Sequence, residues 1–389
     1  MTSTLNRANI FSLIFTLFLF SCQSDTTVNQ PEAGSELPET DYTEEVYKWG
    51  FINRQGQLQV LGNFDDARNF SEGLAVVRKK GKWGFIDKSG IEVITAQYKG
   101  TWSFSEGLAR ILTFDDKMGF INKKGTIVVD PVWEEAADFK EGMAVVKTDG
   151  QYGYCNISGK LVIPAIFEKA YDFEGGFAIV KKEGKYGLID KTGKIILQPE
   201  YERLGGLSEG LIRAKKAGQF GYLDLKSQWV IPPQFSSAQD FHEGLAVAGT
   251  DDKLGLIDKS GQFMVSPQFD PVWYAGTGRW AVGKGTHYGF IDRNGAFIVQ
   301  PELQLVYSFS ETLAAFRQDD LWGYIDTMGT VVIPPVYYLA WDFKQGLARV
   351  ASDHGVVFIN KIGETVLMPQ YIDVRDFSEG LSRVQVYKR

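Results

Sequence analysis

The feature that most constrains this chain is a repeat of fixed length. The residue pair Trp83-Gly84 marks a position that returns every 34 residues, with a single interval of 35. The equivalent pairs are Trp49-Gly50, Met118-Gly119, Tyr152-Gly153, Tyr186-Gly187, Phe220-Gly221, Leu254-Gly255, Tyr288-Gly289, Trp322-Gly323 and Val356-Val357. Ten tandem units therefore fill residues 47–389. A period of this length indicates an array of one supersecondary unit, in which each copy buries its apolar face against its neighbours.

Each unit predicts a three-stranded antiparallel β-meander followed by a connector. The apolar segments 74–79 and 82–87 flank the turn pair Lys80-Gly81, which is typical of a hairpin. A third strand follows, as in residues 330–334, and the Pro at its end stops further pairing. The connector ends in a second recurring motif, Phe70-Ser71-Glu72-Gly73 in one copy.

A turn that begins with Asp or Asn joins the second and third predicted strands of each unit. Asp87-Lys88-Ser89-Gly90 shows the pattern, which suits a type I turn closed by a left-handed Gly. The residues predicted to cap these turns are Asn53, Asp87, Asn122, Asn156, Asp190, Asp258, Asp292, Asp326 and Asn360.

The predicted fold is all-β, a tandem array of ten units. Because a propeller blade usually has four strands and this unit predicts three, we favour an open superhelical stack. The alternative is a closed, propeller-like ring, in which a strand at residues 381–387 and one at residues 47–52 complete a single unit. Both arrangements bury the same local core.

The repeated residues resemble the WG (KWG) repeat of bacterial proteins over nearly all of the chain after residue 46. The resemblance rests on the order aromatic-Gly-Phe-Ile-Asp, a Gly three residues on, Val-Ile-Pro and Asp-Phe-Ser-Glu-Gly-Leu-Ala. Trp itself remains at Trp49, Trp83 and Trp322. The resemblance implies β-rich arrays, often on exported proteins, with no shared catalytic residues and no common ligand.

The chain begins with a segment typical of a signal peptide, residues 1–21. Its apolar run, residues 10–20, spans roughly 17 Å as a helix at about 1.5 Å per residue, which is too short for about 30 Å of hydrocarbon. The ending Leu19-Phe20-Ser21-Cys22 resembles the bacterial lipobox. That resemblance implies cleavage before Cys22, its lipidation, and a membrane anchor; Gln23 favours the outer membrane, facing the periplasm or the cell surface.

Residues 22–46 predict an acidic, disordered tether between the anchor and the array. The segment 23–41 carries five acids, two prolines and no Lys or Arg, so it has too little apolar surface to fold. The formal net charge of the chain is −7, and acidic and basic residues are interspersed in the array. No basic surface for nucleic acid is expected.

The repeat argues against a catalytic, metal or cofactor site. Four of the ten turn positions are Asn, and an amide cannot act as a general base, so turn chemistry explains these residues better than paired carboxylates do. The three histidines occupy unrelated places in the unit. Cys155 occupies a position that is Ile or Leu in every other copy, so we expect a small buried hydrophobe there.

The pattern breaks at residues 271–288, and the candidate binding residues are in this segment. Phe-Ser-Glu-Gly is replaced by Ala275-Gly276-Thr277-Gly278, and aromatic rings occur beside basic residues. The candidates are Trp273, Tyr274, Arg279, Trp280 and His287. We expect a non-enzymatic, membrane-anchored scaffold that binds a protein or a glycan. The alternative is a carbohydrate-active enzyme that uses carboxylates near this segment.

Overall fold

The computed structural model describes residues 47–387, and within this range every regular element is a β-strand. The predicted signal peptide, residues 1–21, and the predicted tether, residues 22–46 with Cys22, lie outside the described residues. The strands form ten four-stranded antiparallel sheets, so the all-β array of ten repeats is confirmed. In the described range, no helix is long and apolar enough to cross a membrane.

We call each sheet a blade and number the blades along the chain. Blade 1 is residues 66–98, blade 2 is 100–133, blade 3 is 135–167, blade 4 is 169–201, blade 5 is 203–235, blade 6 is 237–269, blade 7 is 272–303, blade 8 is 305–337, blade 9 is 339–367, and blade 10 is 373–387 together with 47–64.

Every blade has an inner, a second, a third and an outer strand. From blade 1 to blade 10, the inner strands are Asp66–Ala67, Gly100–Thr101, Glu135–Ala136, Lys169–Ala170, Arg203–Ser208, Ser237–Ala238, Val272–Gly276, Leu305–Val306, Leu339–Ala340 and Asp373–Val374. In the same order, the second strands are Leu74–Lys79, Leu108–Leu112, Met143–Thr148, Phe177–Lys182, Leu211–Lys216, Leu245–Gly249, Arg279–Lys284, Leu313–Gln318, Ala348–Ser352 and Ser382–Tyr387. The third strands are Lys82–Asp87, Met118–Asn122, Gln151–Asn156, Lys185–Asp190, Gln219–Leu223, Leu254–Asp258, His287–Ile291, Leu321–Asp326, Gly355–Ile359 and Tyr47–Ile52. The outer strands are Glu92–Tyr98, Ile127–Trp133, Leu161–Phe167, Ile195–Tyr201, Trp229–Phe235, Phe263–Phe269, Phe297–Leu303, Val331–Tyr337, Thr365–Leu367 and Leu58–Phe64.

The inner strand corrects the expected strand number from three to four. In eight blades it has only two residues, as in Asp66–Ala67, which pairs with Arg78 and Val77 of the second strand. Two residues are too few to show the alternation of apolar and polar residues by which a strand is recognised in a sequence. The predicted connector therefore begins with a strand.

Blade 10 contains both ends of the described chain and closes a ring. Its third strand pairs with its second strand along six residue pairs, from Tyr47 and Tyr387 to Ile52 and Ser382. The expectation of an open stack is therefore corrected in favour of the ring. Closure satisfies the backbone groups of two strands that would be exposed edges in an open stack.

The core lies between neighbouring blades. Phe85 on the third strand of blade 1 packs against Phe104 of blade 2, with ring centroids 4.8 Å apart, and Phe51 of blade 10 packs in the same way on Phe70 of blade 1 at 4.9 Å. Each apolar cluster joins residues of two blades. A single blade therefore has no complete core of its own.

The Gly of the Trp-Gly pair allows the outer strand to approach the third strand. A Cβ atom added at Gly84 would lie 2.5 Å from the carbonyl oxygen of Ile94, which is far inside van der Waals contact. Blade 9 has Val357 at this position, and its outer strand, Thr365–Leu367, is the shortest of the ten. The close approach thus explains the Gly, whereas the aromatic residue before it varies.

Candidate functional site

The Asp and Asn turn residues bind the backbone of their own turns. Oδ1 of Asp87 accepts the N–H groups of Ser89 and Ile91 at 2.9 and 3.0 Å, and it also accepts the Ser89 hydroxyl at 2.6 Å. Oδ1 of Asn122 accepts the equivalent N–H groups of Lys124 and Thr126. The Ser89 hydroxyl, followed by these N–H groups, holds the pKa of Asp87 below its ordinary value.

All ten blades contain this turn. The capping residues are Asn53, Asp87, Asn122, Asn156, Asp190, Asp224, Asp258, Asp292, Asp326 and Asn360. Asp224 was missed because Ser227 occupies the place of the turn Gly, at φ 63°. The sequence could still have identified Asp224, because it follows Phe220 at the same distance at which Asp87 follows Trp83.

The Glu of the Phe-Ser-Glu-Gly motif connects one blade to the next. The Glu72 carboxylate in blade 1 accepts the backbone N–H of Gly107 in blade 2 at 3.1 Å. We call such bonds inter-blade latches. The other latches join Glu379 to Gly73, Glu106 to Gly142, Glu141 to Gly176, Glu209 to Gly244, Glu311 to Gly346 and Gln345 to Gly380.

Lysines from the turn of the following blade complete five latches. Lys191 of blade 4 lies 3.0 Å from the Glu141 carboxylate of blade 3. Its hydrogen bond is the main cause that lowers the pKa of Glu141. The other pairs are Lys88 with Glu379, Lys123 with Glu72, Lys259 with Glu209 and Lys361 with Glu311. The repeated carboxylates are thus engaged in holding the ring together.

The structure does not bring the five candidate residues of the irregular segment into one site. Trp280 is 1% exposed and belongs to the core between blades 6 and 7. Arg279 and His287 stand near opposite ends of blade 7, because Arg279 begins the second strand and His287 pairs with Lys284 at its end. At about 3.4 Å per residue, these ends are roughly 17 Å apart. The guanidinium of Arg279 donates to the carbonyl of Thr327 in blade 8 at 2.8 Å.

Tyr274 belongs to a small polar cluster between blades 6 and 7. Its hydroxyl donates to Oε1 of Glu243 at 2.6 Å, and its ring stacks on His242 with centroids 4.6 Å apart. Glu243 has the sequence position of a latch residue. Burial is the largest cause that raises the pKa of Tyr274, followed by the Glu243 hydrogen bond. This cluster takes the place of the usual latch in the irregular blade.

Trp273 is half-buried on the innermost strand of blade 7 and packs on the core between blades 7 and 8, beside Tyr288 at 6.0 Å between ring centroids. The blades differ from one another at this position. The position lies one residue after the two-residue inner strands, and in a propeller such strands line the central channel. We call the ten residues the channel-wall row: Arg68, Trp102, Ala137, Tyr171, Gly205, Gln239, Trp273, Tyr307, Trp341 and Arg375. An alignment of the ten repeats would have shown this variation at the position two residues before the Phe of Phe-Ser-Glu-Gly.

Two members of the row, Arg68 and Trp102, belong to a stack of alternating arginines and tryptophans in blades 1 and 2. The Arg68 guanidinium lies 5.3 Å from the ring centroid of Trp83 and 6.0 Å from that of Trp102. Arg110 covers Trp102 at 4.4 Å and donates to Oδ1 of Asp138 at 2.6 Å. Cation–π contacts of this kind fix the orientation of both side chains.

A cavity of about 270 Å³ opens in the wall between blades 3 and 4. It is lined by Tyr152, Tyr171, Glu135 and Asp172, among smaller apolar residues. The Tyr152 hydroxyl donates to Oε2 of Glu135 at 2.8 Å, and Tyr171 is 45% exposed.

Cys155 and the histidines do not form a reactive centre in the described chain. Cys155 is fully buried in the core between blades 2 and 3, and burial raises the pKa of its thiol to about 12. Among residues 47–387, no group of three or more His, Cys, Asp or Glu side chains has the arrangement of a metal site.

Nine stretches of the chain match the family model described as WG containing repeat. They are residues 49–83, 83–117, 118–152, 152–186, 186–219, 220–253, 288–322, 322–353 and 358–388. The longest stretch between two matches, residues 254–287, contains nearly all of the irregular segment. A comparison with curated proteins finds no match.

The solved structures that match this chain have low sequence identity to it. The computationally designed Ika8 protein is 15% identical, with 68% of this chain and 93% of that chain covered, at a TM-score of 0.35. A eukaryotic initiation factor is 11% identical, with 82% and 95% covered, at 0.44. BamB from Moraxella catarrhalis is 11% identical, with 80% and 98% covered, at 0.36.

Proposed function

The chain belongs to the family of WG containing repeat proteins, and we propose that it is a non-enzymatic binding scaffold. The observation that carries this proposal is the contrast between the turn residues and latches, which are alike from blade to blade, and the channel-wall row, which is not. Turn residues and latches recur around the ring and are engaged in structural bonds. The channel-wall row differs from blade to blade and is rich in Trp, Tyr and Arg, the residues that dominate binding energy at interfaces.

The proposal extends to an anchor at the amino terminus. Cleavage of residues 1–21 and lipidation of Cys22 place the ring on a membrane of the cell envelope, with residues 22–46 as a tether. Several acyl chains on one cysteine hold much more firmly than the single chain that gives only marginal binding. The partner is a protein or a glycan of that compartment.

A cross-linking experiment on envelope fractions tests the scaffold. The full chain is compared with the wall variant Trp102→Ala/Trp341→Ala and with the control Ile362→Ala, which changes an exposed residue of a turn. We expect the same cross-linked partner with the wild type and the control, and at least a tenfold loss with the wall variant. Equal cross-linking by all three chains would contradict a wall-mediated function.

A turnover assay separates the scaffold from the enzyme alternative. The captured partner is incubated with the purified chain and analysed by mass spectrometry. A scaffold returns the partner unchanged. Cleavage of the partner that is lost on Glu243→Gln substitution would instead establish a carboxylate enzyme at blades 6 and 7.

A further inference from the structure

The cavity between blades 3 and 4 lies where two neighbouring side chains of blade 3 are small. Ala137 occupies the channel-wall position that holds Trp102 in blade 2 and Tyr307 in blade 8. The neighbouring second-strand position is Val145, where four other blades have a half-buried or buried arginine. Both replacements remove volume from the same part of the wall, and about 270 Å³ remains open.

The surface of this cavity combines aromatic rings with hydrogen-bond acceptors. Tyr171 is 45% exposed, whereas its backbone carbonyl is fixed by the Tyr154 hydroxyl at 2.8 Å. Glu135 and Asp172 add two carboxylates to the lining. Each carboxylate has more lone pairs than the protein uses, so it can accept further hydrogen bonds from a ligand.

Both carboxylates are already paired with lysines. Oε1 of Glu135 lies 2.7 Å from Nζ of Lys147, and Oδ2 of Asp172 lies 3.0 Å from Nζ of Lys140. The cavity therefore presents acceptors without an excess of negative charge. This favours a neutral ligand that donates several hydrogen bonds over a cationic one.

We propose that this cavity binds one neutral sugar residue of a glycan, with the sugar ring stacked on Tyr171 and its hydroxyls donating to Glu135 and Asp172. The inference deepens the proposed scaffold function and rests on it. The volume lies below the range of about 300–1,000 Å³ of sites for larger ligands, so it matches a single ring. An aromatic face beside planar acceptors suits a polyol, which has apolar C–H faces and polar edges.

Ligand-observed NMR with the full chain tests the site directly. The chain is kept in a detergent without a sugar head group, and the probes are glucose, galactose, N-acetylglucosamine, cationic glucosamine and cadaverine. We expect saturable binding of at least one neutral sugar, with a dissociation constant on the order of 1–10 mM. Ala137→Trp fills the cavity with the residue of blade 2, and Tyr171→Ala removes the stacking ring. Each change should weaken binding at least tenfold.

The control is Ile362→Trp, which introduces the same residue in a turn of blade 9, where the side chain is 68% exposed and lies outside the wall. It should leave sugar binding within about twofold of the wild type. Unchanged binding in both cavity variants, preference for cadaverine, or no binding of any neutral sugar would each overturn the inference. If cross-linking to the envelope partner survives such a result, the scaffold function stands and only the sugar site is lost.

Discussion

At the scale of single residues, Asp and Asn are interchangeable in this protein wherever only a turn acceptor is required. Asp87 and Asn122 accept the same two backbone N–H groups, although one side chain is charged and the other is neutral. The turn bonds themselves therefore do not require a charged side chain. The Gly that ends the turn has a stricter requirement, because its backbone is left-handed.

The first prediction compares these two kinds of residue. Asp87→Asn should lower the melting temperature only slightly, since Asn makes the same bonds. Gly90→Val should destabilise by roughly 1–3 kcal/mol, because φ is 86° and a Cβ there lies 3.0 Å from Val60. Gly81→Val is the matched control: its φ is 76° with no atom within 4 Å of the added Cβ, so it should cost less. If Asp87→Asn and Gly90→Val lowered the melting temperature equally, the assignment of Asp87 as a turn acceptor would be wrong.

The second prediction concerns acid. The pKa values of Asp87, Asp190 and Asp258 are lowered in the fold, chiefly by the hydroxyls of Ser89, Thr192 and Ser260. The stabilisation is therefore complete above their ordinary pKa of 3.8 and is lost as the pH falls through the lowered values. In thermal melts from about pH 5 to pH 3, the triple Asn variant should lose less stability than the wild type. A steeper loss of stability in the triple variant would mean that the three charged carboxylates do not stabilise the fold.

The sequence predicted these turns because their chemistry is local, but it could not place side chains that depend on neighbouring blades. Trp280 was a candidate binding residue, and it is in the core instead. Trp273 and Trp280 look alike in the sequence. Only the pairing of blade 7 decides which one lies on the wall and which one is buried.

At the scale of strands, blade 9 shows what the Gly of the Trp-Gly pair does. Nine third strands have Gly at this position, and each lies so close to the outer strand that a Cβ would contact a carbonyl oxygen. Blade 9 has Val357, and its outer strand pairs only at Leu367 and Thr365. The pairing that joins Trp83 to Tyr98 in blade 1 has no counterpart there. The one blade without this Gly is thus the one with the shortest outer strand, as expected if a side chain at this position keeps the outer strand away.

The third prediction restores that strand. Val357→Gly should allow residues 368–371 to pair with the third strand, so that the amides of Met368, Gln370 and Tyr371 become more protected in hydrogen exchange. Gly84→Val is the reciprocal change, and it should expose the end of the outer strand of blade 1 and destabilise by about 1–3 kcal/mol. If these three amides exchange equally fast in Val357→Gly and wild type, the steric explanation is wrong.

The second, third and outer strands were predictable from alternation and turn residues, whereas the inner strands, eight of which have only two residues, were not. Glu135–Ala136 has no pattern of its own and is defined by its bonds to Lys147 and Val146. The channel-wall row follows directly from this strand. The wall and its cavity were therefore outside the reach of single-unit sequence reasoning.

At the scale of the whole molecule, the proposed anchor and the ring make separate predictions. If Cys22 carries lipid, Cys22→Ser should abolish labelling by a fatty-acid analogue and release the chain from the membrane fraction. Cys155→Ser is the control, because Cys155 is fully buried and should not affect labelling. Labelling that persists in Cys22→Ser would refute the anchor.

The closed ring could not be derived from the sequence, because an open stack buries the same contacts between neighbours. The ring and the open stack differ at one place, the junction between blade 10 and blade 1. The Ser378 hydroxyl of blade 10 donates to the carbonyl of Phe70 in blade 1 at 2.8 Å, as Ser71 does to Phe104 at 2.9 Å. The junction between blades 10 and 1 thus has the same Ser hydrogen bond as the junction between blades 1 and 2.

The last prediction tests closure by joining the two ends of the described chain. Tyr47 and Tyr387 are direct partners across the strands of blade 10, with ring centroids 5.3 Å apart, and both are exposed. Opposite residues in an antiparallel pair have Cβ atoms about 4.5–5.5 Å apart, so a small adjustment permits a disulfide. In a Cys22→Ser background, Tyr47→Cys/Tyr387→Cys should form an intramolecular disulfide and migrate faster on a non-reducing gel. Since the bond encloses nearly the whole described chain, it should raise stability by about 2–4 kcal/mol. The pair Tyr47→Cys/Tyr338→Cys places the second cysteine in the connection from blade 8 to blade 9 and should remain reduced. Equal cross-linking of both pairs, or none in either, would mean that the ends do not meet.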